Sequence, residues 1–345
     1  MVGRRSVLPG GGGGPAPHDR LRGGRPVTRV AAIDCGTNSV RLLIADIHQD
    51  SLHEVERRME IVRLGQGVDE TGRLAPEALE RTFAAMRGYA GLIEGHGAVA
   101  VRVVATSATR DAANRQDFAA GVREIFGVEP EVVTGAEEAQ LSFTGATGDL
   151  VSLSPETGLP TPVGTRPPYL VVDIGGGSTE FVVGSTHAEA ALSVDIGCVR
   201  LAERHLRGAG DPPSAEAVEA MTADIDDALD RVAEEVPVER ALTMVGLAGS
   251  VTTVAGMALE LDEYNADKIH HARIPADRAH GIARRLLEMS HDERLAVPVM
   301  HPGRADVIGA GALILDRILQ RYGFAEVVVS ERDILDGIAW SLSKS

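Results

Sequence analysis

The sequence predicts an α/β protein whose two similar halves face each other across a phosphate-binding cleft. Two turns share the pattern Asp-x-Gly-x-x-Ser, and each lies between apolar segments, which predicts a duplicated architecture. Only 3% of the residues are aromatic, so Val, Leu, Ile and Ala must supply most apolar burial, as in sheets covered by helices. A chain of 345 residues that is 44% hydrophobic is long enough for two domains.

The turn in the middle of the chain carries the strongest chemical signal. Residues 171–184, VVDIGGGSTEFVVG, place polar residues between two apolar runs, which predicts a strand, a tight turn and a returning strand. Asp173 and Glu180 at the rim would repel a bound phosphate unless a divalent cation lay between, so we expect Mg²⁺ or Mn²⁺ and a phosphoryl substrate. Backbone N–H groups and a hydroxyl can converge on that phosphate. They belong to Gly175, Gly176, Gly177 and Ser178.

A matching turn lies near the start of the chain, in AAIDCGTNSVRLLIADI at residues 31–47. One glycine-containing turn is weak evidence for phosphate binding, but two in matching register are much stronger. Asp34 takes the place of Asp173 and is therefore a third candidate metal ligand. The candidate phosphate-binding residues of this turn are Gly36, Thr37, Asn38 and Ser39.

Three segments together resemble the signature segments of the exopolyphosphatase and guanosine pentaphosphate phosphohydrolase (Ppx/GppA) family. They are DCGTNSVR, TGAEEA and DIGGGSTE, and the resemblance runs from about Thr28 to the C-terminus. The family usually has Ile where Cys35 stands, a change that leaves the phosphate-facing residues intact. The resemblance implies two actin-like (ribonuclease H-like) domains with the active site between them.

Glu137 and Glu138 open a predicted helix and are candidates for activating water. Adjacent carboxylates at a helix start often only complement the helix dipole. The family resemblance implies that the second glutamate, Glu138, is the base. Arg110 follows a predicted strand at residues 99–106, where α/β sheets place ligands. The resemblance implies that Arg110 offsets charge on the phosphoryl oxygens in the transition state.

Three later segments carry further candidates for the cleft. Arg200 resembles the arginine of the family's Gly-Cys-x-Arg-Leu stretch, and it either faces the cleft or forms an ion pair at a helix start. The turn with Gly249 and Ser250 either contacts an outer phosphate or lets a helix pack closely on the sheet. Arg304 and Asp306 are expected to pair with each other or to close the cleft floor.

Composition and patterning predict four regions. Residues 1–27 are rich in Gly, Pro and Arg and are expected to be a disordered tail, and residues 28–150 form the first actin-like domain. Residues 151–168 are rich in Pro, Gly, Ser and Thr and are expected to be a linker. Residues 169–345 form the second actin-like domain, whose last helix is a candidate to pack on the first.

Charge and cysteine content restrict the partners and the compartment. A net charge of −16 argues against nucleic-acid binding, which needs clustered cations, and no apolar run is long enough to predict a membrane span. Cys35 and Cys198 are too few for a disulfide framework, so we expect a reducing cytoplasm and two buried structural thiols, with a redox switch as the alternative. The sequence leaves open whether the protein forms a homodimer.

These observations predict a hydrolase that releases terminal phosphate from inorganic polyphosphate. The nearest alternative is the same hydrolysis of guanosine pentaphosphate, an alarmone of the stringent response. A sugar kinase of the same superfamily and a non-catalytic nucleotide-sensing or alarmone-sensing protein are further alternatives. Because the chain has no room for extra C-terminal helical domains, we expect a preference for short polyphosphate.

Overall fold

The structure is a computed structural model that describes residues 27–48, 51–148, 150 and 164–344. The predicted tail and most of the predicted linker lie outside the described residues. The first sheet has five strands in the order β3-β2-β1-β4-β5, and β3, β2 and β1 form the meander expected for strands that pair with their sequence neighbours. The strands are β1 (Thr28–Cys35), β2 (Ser39–His48), β3 (Ser51–Ile61), β4 (Ala100–Ala105) and β5 (Glu131–Val132).

Five helices belong to this part of the chain. They are α1 (Val68–Thr71), α2 (Pro76–His96), α3 (Ser107–Asp111), α4 (Arg115–Phe126) and α5 (Gly135–Thr147). Proline is favoured in the first turn of a helix because its missing N–H would be unpaired there, and α2 begins at Pro76. Glycine commonly ends helices because it adopts the left-handed conformation readily, and α4 ends at Gly127 in that conformation.

The second sheet has six strands in the order β10-β11-β9-β6-β7-β8. Its strands are β6 (Tyr169–Ile174), β7 (Thr179–Gly184), β8 (Ala188–Val194), β9 (Thr243–Leu247), β10 (Arg273–Pro275) and β11 (Glu326–Val329). The helices that follow are α6 (Cys198–Leu201), α7 (Ala215–Glu235), α8 (Ala248–Ala258), α9 (Ala266–Ile269), α10 (Ala276–Glu288), α11 (His291–Leu295), α12 (Ile308–Tyr322) and α13 (Ile334–Ser341). Residues Ala202–Leu206 continue α6 as one π-helical turn, and 3₁₀ turns span Val238–Arg240, Pro302–Arg304 and Leu342–Lys344.

Two predicted elements are shorter than expected. The sequence EVVT at residues 131–134 predicts a strand, but the strand contains only Glu131–Val132. The Gly- and Ala-rich segment from His301 to Leu315 predicts one helix. The helix begins at Ile308, because the His301 imidazole accepts a hydrogen bond from the Gly303 N–H and Pro302 opens a separate 3₁₀ turn there.

Helix α5 packs on the second sheet, and helix α13 packs on the first sheet. Phe143 of α5 packs in a cluster with Tyr169 of the second sheet, although α5 lies within the segment assigned to the first domain. Leu335 of α13 packs in a cluster with Leu43 of the first sheet. We call the first sheet and the helices that cover it the first domain, and the second sheet and its helices the second domain. The sequence boundaries at residues 150 and 169 remain a proposal, in which α5 and α13 each cross to the other domain.

The two crossing helices are in backbone contact with each other. A Cβ placed on Gly145 of α5 would lie 1.8 Å from the carbonyl oxygen of Asp333, and one on Gly337 of α13 would lie 2.1 Å from that of Leu141. Only glycine permits this approach, which brings the start of α13 beside the cleft. No helix within the described ranges is long and apolar enough to span a membrane.

Candidate active site

The two predicted phosphate turns have the same backbone geometry. In the first hairpin the N–H of Gly36 donates to the carbonyl of Ser39 at 2.9 Å, and in the second the N–H of Gly175 donates to the carbonyl of Ser178 at 3.0 Å. Each turn joins two antiparallel strands, β1 with β2 and β6 with β7. The repeated sequence pattern therefore corresponds to a repeated local structure.

The two turns contact each other across the cleft. A Cβ placed on Gly176 would lie 3.0 Å from the Cβ of Thr37 and 3.2 Å from the N of Asn38. A Cβ on Gly177 would lie 2.6 Å from the Ser107 Oγ and 2.7 Å from the Thr37 Oγ1. Glycine is required here because the backbones of the two domains approach so closely, and a single phosphate can reach donors from both turns.

One cavity of about 100 Å³ lies between the domains and is lined by most of the predicted site residues. Glu138, Asp34 and Asp173 line it, whereas Arg110 and Glu180 are not among the described residues that do. The lining residues of the two turns are Gly36, Thr37, Asn38, Ser39, Gly175, Gly176, Gly177 and Ser178.

Glu137 and Glu138 have different surroundings although they are adjacent. The Glu137 carboxylate accepts hydrogen bonds from the N–H and hydroxyl of Thr134, which form a capping box at the start of α5 and lower the pKa of Glu137. Glu138 is buried at the cavity wall, and burial, reinforced by the charge of Glu180, raises its pKa well above the usual value. A buried carboxylate with a raised pKa can accept a proton near neutral pH.

Arg110 contacts Glu138 from behind the cavity wall. Its Nη1 donates to the Glu138 Oε2 at 3.0 Å and to the Val133 carbonyl at 3.0 Å. The guanidinium opposes the effect of burial on the Glu138 pKa. The structure thus brings Arg110 to the candidate base and not to the cavity surface.

Asp173 and Glu180 are register partners on β6 and β7. Ser142, one helical turn after Glu138, donates to the Asp173 Oδ2 at 2.7 Å. Ser178 and Ser193 both donate to the Glu180 Oε1 at 2.7 Å, and the buried Glu180 Oε2 has no hydrogen-bond partner. Burial and the charge of Glu180 raise the pKa of Asp173 to about 7, and burial also raises that of Glu180.

Asp34 has a partner that the sequence reasoning missed. The Arg41 guanidinium donates to the Asp34 Oδ2 at 2.6 and 2.9 Å and also pairs with Asp333 at the start of α13. The buried Asp34 Oδ1 has no hydrogen-bond partner. The signal was present in the repeat, because Arg41 stands seven residues after Asp34 just as Glu180 stands seven after Asp173.

Arg304 lines the same cavity without a counter-charge. Asp306, its expected partner, pairs instead with Arg63 at 2.9 Å. Among the described residues none places a carboxylate within ion-pairing distance of Arg304, and burial lowers the pKa of its guanidinium. Beside it, Ala248 at the start of α8 has φ 67°, a strained conformation for a residue with a Cβ. Unpaired buried cations and backbone strain both concentrate at functional sites.

The carboxylates provide candidate metal ligands but no complete protein site. Within residues 27–48, 51–148, 150 and 164–344, no three His, Cys, Asp or Glu side chains are arranged to hold a metal ion between them. The unpartnered oxygens of Asp34 and Glu180 and the raised pKa of Asp173 nevertheless suit a hard divalent cation. Mg²⁺ commonly takes one or two carboxylates and fills its remaining positions with phosphate oxygens and water.

Both cysteines are buried free thiols. Cys35 is 1% exposed in β1, and Cys198 is 6% exposed at the cavity wall. Burial raises the pKa of both, so little thiolate forms near neutral pH. This environment is that of structural thiols.

The paired turns, the buried carboxylates and the unpaired arginine together define an α/β protein with two sheets and a polar cleft between them. A family model described as the Ppx/GppA phosphatase family matches residues 43–345. The chain belongs to the Ppx/GppA phosphatase family, so its likeness to that family's signature segments is confirmed. The predicted α/β fold class, with two sheets on either side of a cleft, is confirmed with it.

Several relatives match nearly the whole chain. An exopolyphosphatase 2 of Mycobacterium tuberculosis is 47% identical over 330 residues, which cover 92% of this chain and 99% of the relative. A solved exopolyphosphatase-like protein is 40% identical, with a TM-score of 0.84 over 92% of this chain and 99% of that chain. A solved Ppx/GppA family member from Aquifex aeolicus is 29% identical, with a TM-score of 0.73 over 93% and 99%.

Proposed function

We propose that this protein is an exopolyphosphatase, which hydrolyses the terminal phosphoanhydride of inorganic polyphosphate. The observation that carries the proposal is that both glycine-containing turns and the buried Glu138 line one cavity. The name of the M. tuberculosis relative supports the same activity. The chemistry needs hydrogen-bond donors to the phosphate on both sides of the reacting group and a base beside it. The residues that line the cavity can supply both.

The two turns would hold the terminal phosphoryl group. The hairpin hydrogen bonds occupy the Gly36 and Gly175 N–H groups and fix the backbone of both turns. The remaining N–H groups and hydroxyls of the turns would then need little reorganisation when charge develops on the equatorial oxygens. Arg304 adds a cation at the same cavity. Such preorganised donors stabilise the transition state more than the ground state, which is what raises the turnover rate.

Glu138 would orient the attacking water and accept its proton. Its raised pKa makes it a better proton acceptor than an exposed glutamate, although it must lose its own proton first. Arg110 supports this role by holding the Glu138 Oε2 and favouring the charged carboxylate. We therefore assign Arg110 as the residue that positions the base.

A divalent cation, Mg²⁺ or Mn²⁺, would be held by one or two of the carboxylates of Asp173, Glu180 and Asp34, with phosphate oxygens and water completing its coordination. When bound it supplies charge neutralisation for the phosphate oxygens. Ser142 would orient Asp173, and Ser178 and Ser193 would orient Glu180, because these hydroxyls already fix one oxygen of each carboxylate. Each acid then has one oxygen left for the cation.

Hydrolysis of guanosine pentaphosphate is the second candidate, and a neighbouring cavity favours it. This cavity shares Arg41 and Arg304 with the catalytic cavity. Tyr264, Val299 and Met300 line its other side, so it offers an apolar surface beside two cations. A nucleoside could lie there while its terminal phosphate reaches the turns.

Phosphate release should be measured on polyphosphate, guanosine pentaphosphate and ATP side by side, with Mg²⁺ and with a chelator. We expect release from polyphosphate that requires the cation and is lost in Glu138→Gln. Faster release from the pentaphosphate, measured by kcat/KM, would favour the second candidate. Wild-type protein that releases phosphate from none of the three would refute the proposed function.

A further inference from the structure

Arg200 connects the second phosphate turn to the first domain. Its Nε donates to the carbonyl oxygen of Gly177 at 2.7 Å. Its Nη2 donates to Asp111 at 2.6 Å, and its Nη1 donates to Asp69. The arginine side chain is only 12% exposed. One planar guanidinium therefore holds a backbone group of the second domain and two carboxylates of the first.

The position of Gly177 determines how the two turns face each other. A Cβ on Gly177 would overlap the hydroxyls of Thr37 and Ser107, so the glycine lies wedged against the first domain. The Arg200 Nη2 also lies 3.3 Å from the Ser107 Oγ, so Arg200 contacts both sides of this junction. The rigid fork of a guanidinium fixes direction as well as distance, which a lysine ammonium cannot do.

Arg200 lies outside the lining of the catalytic cavity. It is not among the described residues that line the catalytic cavity, and its hydrogen bonds go to protein acceptors. Its influence on a bound phosphate must pass through Gly177. That makes it a positioning residue.

Neighbouring contacts lie along the same edge of the cleft. Arg204 also donates to Asp69, at 3.3 Å, and both oxygens of Glu203 accept from the Gly67 N–H at 3.1 Å. Glu203 and Arg204 lie on the π-helical turn that continues α6. The contacts place the first turn of α1 against the second domain, with Asp69 shared by two arginines.

We propose that Arg200, Asp69 and Asp111 form an interdomain latch that holds the second phosphate turn in register with the first. The inference rests on the proposed function, since it assumes that both turns bind one phosphoryl group. With the latch closed, the donors of Gly176 and Gly177 face those of Thr37 and Asn38. With the latch broken, the domains separate and the phosphate keeps donors from only one turn.

The kinetic test compares Arg200→Lys with wild type on polyphosphate. A displacement of about 1 Å in positioned groups can cost about 100-fold in rate, so we expect kcat/KM to fall by about 10- to 100-fold with a clear decrease in kcat. Asp69→Asn keeps the hydrogen bond from Arg200 to the Gly177 carbonyl, so it should lower kcat/KM less than Arg200→Lys does. The double variant should lose less than the product of the two single losses, because both break the same contact.

The matched control removes an ion pair within the second domain. Arg240 donates to Glu189 at 2.7 Å, and both residues belong to the second domain, so Arg240→Lys should keep wild-type kinetics. If Arg200→Lys does not fold, Asp69→Asn provides the kinetic test of the latch instead. Wild-type kcat/KM in both Arg200→Lys and Asp69→Asn would overturn the latch.

A structural readout separates the latch from the activity itself. Spin labels on Glu80→Cys in the first domain and Glu234→Cys in the second allow electron–electron distance measurement, since both sites are exposed and the native thiols are buried. We expect a longer and broader distance distribution in Arg200→Lys than in wild type or Arg240→Lys. An unchanged distribution would overturn the latch, whatever the kinetics. If wild-type protein hydrolyses no substrate, the proposed function fails while this measurement still decides the latch.

Discussion

Asp173 and Glu180 face each other on β6 and β7 at the position where Asp34 faces Arg41 in the first hairpin. The repeated structure thus carries opposite electrostatics in its two copies. In the first copy the aspartate is paired with a cation, and in the second two acids are buried side by side. A guanidinium therefore offsets the aspartate of the first hairpin, whereas the acid pair of the second needs a proton or a cation.

The stability of the metal-free protein should therefore fall as pH rises from 5 to 8. Burial beside Glu180 raises the Asp173 pKa from 3.8 to about 7 in the folded protein, so the folded state binds the proton more tightly than the unfolded state. This stabilisation is complete below the unfolded pKa and is lost as pH rises through about 7. Such a shift corresponds to roughly 4 kcal/mol for an isolated group. Thermal melting in chelator at several pH values measures it.

Asp173→Asn should flatten this pH dependence because the amide does not titrate. The exposed Asp292→Asn is the matched control and should behave like wild type, since its side chain is 99% exposed. Added Mg²⁺ should raise the melting temperature more at pH 8 than at pH 5, because the cation competes with the proton. Equal slopes in Asp173→Asn and wild type would contradict the assignment.

Gly177→Ala should lower activity because the new Cβ would collide with the first domain, and not because the backbone is strained. The new Cβ would lie 2.6 Å from the Ser107 Oγ and 2.7 Å from the Thr37 Oγ1, so the two domains must move apart. We expect kcat/KM for polyphosphate to fall by about 10- to 100-fold, as for other small displacements of positioned groups. Steady-state phosphate release measures the loss.

Gly91→Ala is the control for this substitution. Gly91 lies in the interior of α2, and a Cβ there would meet no atom within 4 Å. Alanine should raise stability by about 1 kcal/mol, as expected for a helix interior, with unchanged kinetics. If Gly177→Ala kept wild-type kinetics as well, the close contact between the turns would not matter for catalysis.

The two thiols should be inert in the folded protein. Cys35 and Cys198 are buried and their raised pKa leaves little thiolate, so a thiol reagent such as dithionitrobenzoate should react slowly in buffer and fully in guanidinium. Mild oxidant should leave turnover unchanged. Loss of turnover that is prevented by Cys35→Ser or Cys198→Ser would instead establish a redox switch.

The sequence predicted the features that depend on neighbouring residues. Both turns follow from residues within a few positions of each other, since Gly36 bonds to Ser39 and Gly175 to Ser178. Helix starts such as Pro76 follow from backbone chemistry that acts within one turn. Local hydrogen bonds and apolar periodicity are written directly in the sequence.

The partners of long charged side chains could not be predicted in the same way. Arg41 pairs with Asp333, 292 residues away, and Asp306 pairs with Arg63 instead of Arg304, which stands two positions before it. A guanidinium on a flexible side chain pairs with acids that the tertiary fold brings near it. The spacing of residues in the sequence does not show which acids those are. For the same reason Arg110 lies behind Glu138 and not at the cavity surface.

The sharpest test of the proposed chemistry compares Glu138→Gln with Glu137→Gln. Glu138 lies at the cavity wall beside Arg110, and glutamine keeps its shape but cannot accept the proton. A general base contributes about 10²- to 10⁴-fold, so kcat should fall by about that factor while the substrate still binds and the protein stays folded. Phosphate release and thermal melting of both variants measure this.

Glu137→Gln should leave the chemistry intact because Glu137 is exposed and occupied with the cap of α5. Glutamine can still accept from the Thr134 N–H, so the helix start should lose at most about 1 kcal/mol. Similar losses of kcat in the two variants would show that the pair acts on the helix and not on water. Near-normal kcat in Glu138→Gln would move the base to Glu180, whose Oε2 is the remaining buried carboxylate oxygen of the second hairpin without a hydrogen-bond partner.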